Sequence, residues 1–223
     1  MNLDKITIIR DPVYAIIFDD FFDDDINKDI MKEAIKNQKQ FKYGTIGYGD
    51  IGRSDSKYRT NIVSFYDQIY EGKREDSVLL KNIDKTLQSD EMREILSSSQ
   101  FPINMYSLTN THETQVSRYG DEQFYKWHLD NYFGSTSRII TLVYYFNNEP
   151  VKFEGGELSL TNSPSFHDKL IEKNPNILDI EPKNNRAIVF ASNTEHSVKP
   201  VKNKSYEFED GRFSANCWIG IKQ

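Results

Sequence analysis

The chain holds four histidines, and one of them, His128, stands two positions before a carboxylate, Asp130, within the run FYKWHLDNYF. Side chains at i and i+2 of a strand leave the same face, so here an imidazole and a carboxylate would converge on one point, the usual start of a divalent-metal site. Among 34 acidic residues such a pair arises by chance often enough to mean little alone. His196 gives it weight: it directly follows the apolar run RAIVFA and opens another strand. In a barrel, a ligand from a distant strand can face the first two. Two histidines and one carboxylate on one face form the non-haem Fe(II) triad, which leaves coordination positions open. The same donor set suits zinc, so ligand type alone does not choose the metal.

Arg212 adds a discriminating feature. It opens the last apolar strand, RFSANCWIGI. An arginine pointing inward there needs an anionic partner, because an unpaired buried charge costs several kcal/mol. Its planar guanidinium suits a carboxylate held by two hydrogen bonds. The arrangement predicts a carboxylate-bearing co-substrate beside the metal, which a metallohydrolase would have less reason to accommodate.

These residues need a scaffold that brings distant strands together. The chain has 223 residues, 37% hydrophobic and 28% charged, enough to build a sizeable core and unlike the signature of disorder. Thirteen tyrosines and fourteen phenylalanines lean toward β-rich packing. From about residue 101 onward, short apolar or alternating runs follow one another: INMYSL, ETQVSRY, FYKWHLD, RIITLVYYF, GELSL, ILDI, RAIVFA, HSVKPV and RFSANCWIGI. Turn residues separate them, which predicts a sandwich or barrel. Upstream, ITII and YAIIF read as short strands. Asp23 to Asp25 read as the capped entry of a helix carrying Ile26, Ile30, Ala34 and Ile35 on one face. VLLKNIDKTL and EMREIL read as two helices broken near Ser89. Residues 41–60 read as a loop or as a hairpin. The expected fold is α+β in one domain spanning 1–223: helical support over about 1–100 and a barrel core over about 101–223.

Composition also excludes. A formal charge of −6 with no basic stripe argues against nucleic-acid binding, while leaving a basic peptide or protein as a partner. One cysteine, Cys217, allows no internal disulfide and no cysteine-rich zinc site. No apolar run is long enough to span a membrane, and none near the N-terminus suits a signal peptide. A reducing, cytoplasmic setting is expected.

From about residue 113 to 219 the sequence resembles the Fe(II)- and 2-oxoglutarate-dependent dioxygenase superfamily, in particular its prolyl 4-hydroxylase-like branch. The ordered elements are RYGDEQFYKWHLDN, RIITLVYYFN, FEGGELSL, IEPKNNRAIVFASNTEHSVKPV and GRFSANCW, and DDFFDDDINKDI resembles the helix entry of the same proteins. The resemblance implies a double-stranded β-helix, a jelly-roll or cupin-like barrel. It implies Fe(II) bound by His128, Asp130 and His196, with Asn131 completing the family's HxDN form. Arg212 would clamp the distal carboxylate of 2-oxoglutarate, Tyr119 and Tyr145 would line that pocket, and Asn216 or Ser214 would contribute a polar group. O2 is the second co-substrate, and ascorbate an optional addition. Retention of Asp130 argues against the related halogenases.

The implied activity is hydroxylation of an unactivated C–H bond with conversion of 2-oxoglutarate to succinate and CO2. The implied substrate is a prolyl residue of a peptide or protein. A free amino acid, another peptide side chain, a binding module without turnover and a zinc hydrolase stand as alternatives. The sequence departs from the branch in a longer segment between His196 and Arg212, KNKSYEFED, so Lys204 competes with Arg212, and in an inserted stretch at 161–176. Plain structural readings stand beside the rest. Tyr144 and Tyr145 also fit strand core, and Gly155-Gly156 fits a turn needing positive φ. Cys217 fits a small core residue, and His112 and His167 fit solvated loops. Arg53, Asp55 and Arg59 fall where relatives carry a substrate-covering finger, or in a solvated loop.

Overall fold

The computed structural model describes residues 5–46, 54–131, 137–162 and 176–222. In chain order the first elements are β1 (Ile6–Ile9), β2 (Ala15–Phe18), α1 (Asp24–Lys36), β3 (Lys42–Tyr43) and β4 (Ile62–Phe65). A single turn α2 (Tyr66–Ile69), then α3 (Val78–Gln88) and α4 (Asp90–Ser97), lead into β5 (Thr111–Tyr119). The remainder is β6 (Tyr125–His128), β7 (Arg138–Phe146), β8 (Phe153–Gly155), β9 (Leu158–Thr161), β10 (Leu178–Ile180), β11 (Arg186–Ala191), β12 (Glu195–Val198), β13 (Val201–Asn203) and β14 (Arg212–Gly220).

The strands form an eight-stranded sheet of order β1-β2-β11-β7-β14-β5-β4-β3, a four-stranded sheet of order β10-β9-β12-β6, and the pair β13-β8. This is the double-stranded β-helix with supporting helices. The two larger sheets face each other, and strand periodicity explains what lies between them. In β7, Val143 and Tyr145 turn inward to meet Phe190, Leu158, Leu160 and Ile180. Leu142, Tyr144 and Phe146 turn outward, into the layer where Ile30, Leu79, Leu80, Ile83, Met92 and Leu96 of the helices pack. With both faces covered, the strand reads RIITLVYYF with no polar alternation except Thr141.

The helices form where the apolar spacing predicts. Ser77 caps α3, accepting from the Leu80 N–H at 3.1 Å, and Ser89 caps α4, accepting from the Met92 N–H at 3.2 Å, which explains the break between them. Glu33 on α1 accepts from the Leu79 N–H at 2.9 Å and so ties the two helices. Asp23 stands at the head of α1, but its side chain makes no capping bond; only its carbonyl accepts, from Asn27. Within 41–60, β3 is a strand and pairs antiparallel with β4 just beyond that stretch, while residues 47–53 lie outside the described residues. These strands lengthen one edge of the large sheet while β1 and β2 lengthen the other, so the N-terminal part supplies strands as well as helices.

Two expectations fail. INMYSL is a 3-10 turn (Ile103–Leu108), not a strand. Pro102 heads it, and its backbone bonds close locally, Met105 N–H to Pro102 O and Thr109 N–H to Tyr106 O, while Ile103 fills the helix-side core. His112 is not a solvated loop residue: it lies on β5, half-buried, with Nε2 2.7 Å from Asp84 Oδ1. Arg74 donates to the same carboxylate through Nε at 2.9 Å and Nη2 at 2.7 Å, so three charged or polar groups close on one another beside α3. Cys217 is buried in the helix-side core, and burial pushes its thiol up to about 12, which keeps it an inert core residue. Among the described residues no helix is long and apolar enough to cross a membrane. Arg53, His167 and residues 163–175 of the inserted stretch lie outside the described residues.

Candidate metal centre

His128 ends β6 and His196 sits on the neighbouring β12, directly opposite it in the register. Their ring centroids are 4.1 Å apart. Each ring is fixed by a carbonyl two residues upstream: His128 Nδ1 lies 2.8 Å from Lys126 O, and His196 Nδ1 lies 2.9 Å from Thr194 O. A carbonyl only accepts, so both Nδ1 atoms carry the hydrogen and both Nε2 atoms are left to face the centre.

Asp130 completes the group. One oxygen is 3.4 Å from His196 Nε2 and the other 3.9 Å from His128 Nε2, and one ligand atom from each of the three residues lies within 4.8 Å of the others. The strand argument does not account for this convergence, because β6 ends at His128 and Asp130 lies beyond it. Asp130 is instead tethered to the turn after β11: its N–H donates to Ser192 O at 3.1 Å, and the Asn131 N–H donates to the same oxygen at 3.0 Å. Thr141 on β7 donates to Asp130 Oδ2 at 2.8 Å. Burial pushes the Asp130 carboxyl up, but His196, His128 and the Thr141 hydroxyl outweigh it and hold the group well below the usual carboxylate range. Burial, helped by His196, pushes His128 well down. His196 is shifted the other way: burial pushes it down, but the Asp130 carboxylate outweighs burial and raises it.

A second cluster adjoins the first. Arg212, 1% exposed, opens β14 with its guanidinium 4.9 Å from the Tyr119 ring centroid and 4.7 Å from that of Tyr145. Its Nε donates to Gly156 O at 3.2 Å and its Nη1 to Ser214 Oγ at 3.0 Å. Among the described residues Nη2 has no hydrogen-bond partner, and neither has the buried Tyr145 hydroxyl. Burial pushes Tyr145 up in spite of Arg212, so its hydroxyl keeps the proton and can donate. Two adjacent buried donors without acceptors are costly unless an anion meets them. Gly155 and Gly156 have φ of +75° and +72°, as a turn of this kind demands. Gly156 also lets the guanidinium approach: a Cβ there would lie 2.8 Å from Val201 Cγ2 and 3.5 Å from Arg212 Nε.

The other candidates divide. Tyr119 and Ser214 touch or flank Arg212. Asn216 shares their face of β14, but its amide donates to Ser117 Oγ at 3.1 Å, which turns it away from the guanidinium. Lys204 is exposed beyond β13, whereas Arg212 is buried. Asp55 is engaged by its own turn, accepting from the Lys57 N–H.

Arg59 lies much closer to the centre than a loop reading suggests. It is 8% exposed and donates to Asn61 Oδ1, Gln115 Oε1 and Thr45 O. Its guanidinium sits 4.5 Å over the Tyr125 ring, which in turn stacks on His128 with centroids 3.6 Å apart. The alternation of Arg59, Asn61 and Val63 leading into β4 was the available signal. Nothing in the sequence paired Arg59 with Tyr125.

The His128–Asp130–His196 group lies on a double-stranded β-helix, could hold one metal ion, and has a buried arginine in the neighbouring cluster. Residues 114–220 match the model of the 2OG-Fe(II) oxygenase superfamily. That match covers a little under half of the chain. An uncharacterised PKHD-type hydroxylase of Synechocystis sp. is 40% identical over 111 residues, which are 49% of this chain and 36% of that protein, so the match spans little more than a third of the relative. A prolyl hydroxylase from Trichoplax adhaerens, solved with a hypoxia-inducible-factor peptide fragment, superposes with a TM-score of 0.66 at 16% identity over 92% of this chain and 83% of that one. A Pseudomonas putida prolyl-4-hydroxylase gives 0.60 at 15% identity, with 95% of both chains covered. At such identities the likeness speaks for the fold.

Proposed function

We propose that this protein is an Fe(II)- and 2-oxoglutarate-dependent dioxygenase that hydroxylates a prolyl residue of a peptide or protein. One observation carries the reading: the unpartnered Arg212 Nη2 and Tyr145 hydroxyl, buried beside the His128–Asp130–His196 group. A hydrolytic metal centre has no use for such a pair, whereas a dianionic co-substrate does. The residues fit the group that the superfamily uses.

The two Nε2 atoms and the Asp130 carboxylate would hold Fe(II), three ligands on one side of the ion. Arg212, with Ser214 and Tyr145, would hold the distal carboxylate of 2-oxoglutarate, and Tyr119 would wall that pocket. When bound, the ion, 2-oxoglutarate and O2 would supply the oxidation, one atom of O2 entering succinate as CO2 is lost and the other entering the C–H bond. The protein's part is to orient and to exclude water: Tyr119, Tyr145 and Arg212 are nearly inaccessible to solvent, so the co-substrate would sit in a dry pocket. The Arg59–Tyr125 stack backs His128 and keeps its ring plane fixed.

The proline assignment rests on the prolyl hydroxylases among the structural neighbours, one of them holding a peptide. The chain's charge of −6 favours a basic target. The test is incubation with Fe(II), 2-oxoglutarate and proline-containing peptides, reading succinate and a mass gain of one oxygen. Asp130→Ala should lower succinate formation at least about a hundredfold. Equal succinate from that variant would overturn the metal assignment, and oxygen gained only at other residues would overturn proline.

A further inference from the structure

Thr141 is the one aliphatic hydroxyl in the apolar stretch of β7, where a valine would have nearly the same shape. It is 1% exposed, between Phe190 on β11 and Trp218 on β14. Its Oγ1 donates to Asp130 Oδ2 at 2.8 Å and lies 3.0 Å from the Oγ of Ser192, which is wholly buried. The Thr141 hydroxyl has one hydrogen and gives it to Asp130, so in its contact with Ser192 the serine hydroxyl must be the donor. The chain of hydrogen bonds has one direction, from Ser192 through Thr141 to the carboxylate, and donors in series polarise one another. Ser192 is also the residue whose carbonyl takes the Asp130 and Asn131 N–H groups, while its own N–H donates to Ile139 O at 3.0 Å.

We propose that Thr141 and Ser192 are positioning residues for the metal centre, fixing through this directed pair the rotation of the Asp130 carboxylate that the end of β6 leaves undetermined. The inference rests on the metal-binding reading above. It explains how a ligand beyond the end of β6 presents its oxygens to His128 on that strand and to His196 on β12. Thr141 acts on the carboxylate directly. Ser192 acts through Thr141 with its hydroxyl and through the backbone with its carbonyl, and side-chain substitution removes only the former.

The test measures metal affinity without turnover, by titrating apo-protein with Co(II) and following its visible absorption, with thermal melts of the apo forms as the control. Thr141→Val should bind Co(II) at least about tenfold more weakly, as loss of a ligand's hydrogen-bond partner does elsewhere, and Thr141→Ser should stay within about threefold of the parent. Ser192→Ala should show a smaller loss. The Thr141→Val/Ser192→Ala double variant should bind like Thr141→Val alone, since the serine hydroxyl acts only through the threonine. Unchanged affinity in Thr141→Val, or additive losses in the double variant, would overturn the proposal. If Thr141→Val fails to fold, Ser192→Ala against Thr141→Ser decides it: parent-like affinity in the former, or a loss in the latter as large as in the former, counts against it. Failure of the parent protein to bind Co(II) would instead remove the metal-binding reading itself.

Discussion

Two aspartates of this protein have nearly the same neighbours and opposite meanings. Asp84 has a histidine, His112, and a guanidinium, Arg74, within hydrogen-bond distance; Asp130 has two histidines beside it, with Arg212 and Arg59 in the surrounding walls. Around Asp84 the charges close: Arg74 spans both of its oxygens and also reaches Asp67, whose other oxygen takes the Thr114 N–H. Around Asp130 they do not. The histidines turn Nε2 toward the centre, and the nearby Arg212 and Tyr145 keep donors that find no acceptor among the described residues. Residue type therefore does not distinguish a structural ion cluster from a site. Unfinished hydrogen bonding at a buried place does.

Substitutions should separate the two clusters. The largest effect is expected from Arg212→Met, which keeps the bulk and removes the donors. Its affinity for 2-oxoglutarate should fall at least about a hundredfold, as when one partner of a buried charge pair is removed. Co(II) affinity should stay within about twofold. Comparable losses of both would mean that the two clusters are not separable parts.

Gly156→Ala comes next, forcing a β-carbon at φ +72° into Val201 and toward Arg212. A strain of about 1–3 kcal/mol is expected. A higher KM for 2-oxoglutarate should accompany the lower melting temperature, and a parent-like KM would show that the turn does not seat the guanidinium.

Asp84→Asn should be the mildest for function, with 2-oxoglutarate turnover unchanged and stability lower by about 2 kcal/mol at pH 7. Hydrogen bonds from Arg74 and His112 outweigh burial and hold Asp84 well below the usual carboxylate range. A depressed native value stabilises above the unfolded value, near pH 4, and that contribution fades as pH falls further toward the native value. Melts of parent and variant should therefore converge on acidification below about pH 4. A gap that persists there would assign the loss to packing.

How much of this was legible in the chain follows the same division. Strand and helix positions were readable because each side chain reports its own face: RIITLVYYF, RAIVFA and RFSANCWIGI are all strands, and Ser89 marks the break between two helices. The three residues of the candidate centre were readable as a set because H-x-D and a histidine at a strand start are local signals. What escaped depends on partners chosen in three dimensions. Asp130 reaches its place through the Ser192 carbonyl, Arg59 through Tyr125, His112 through Asp84, and Asn216 turns to Ser117. No spacing along the chain encodes those pairings. INMYSL misled because its apolar pattern suits a 3-10 turn and a strand equally well.

The placement of β14 carries a consequence for assembly. It is the last strand described, yet it lies in the middle of the large sheet, between β7 and β5, which bond to it and not to each other. During synthesis from the ribosome, those two neighbours must wait with open hydrogen-bonding edges until β14 emerges and slots between them. Arg212 arrives on that stretch. A chain lacking β14 is thus also a chain without the guanidinium, and Tyr119 and Tyr145 stay without their buried cation until the sheet is whole.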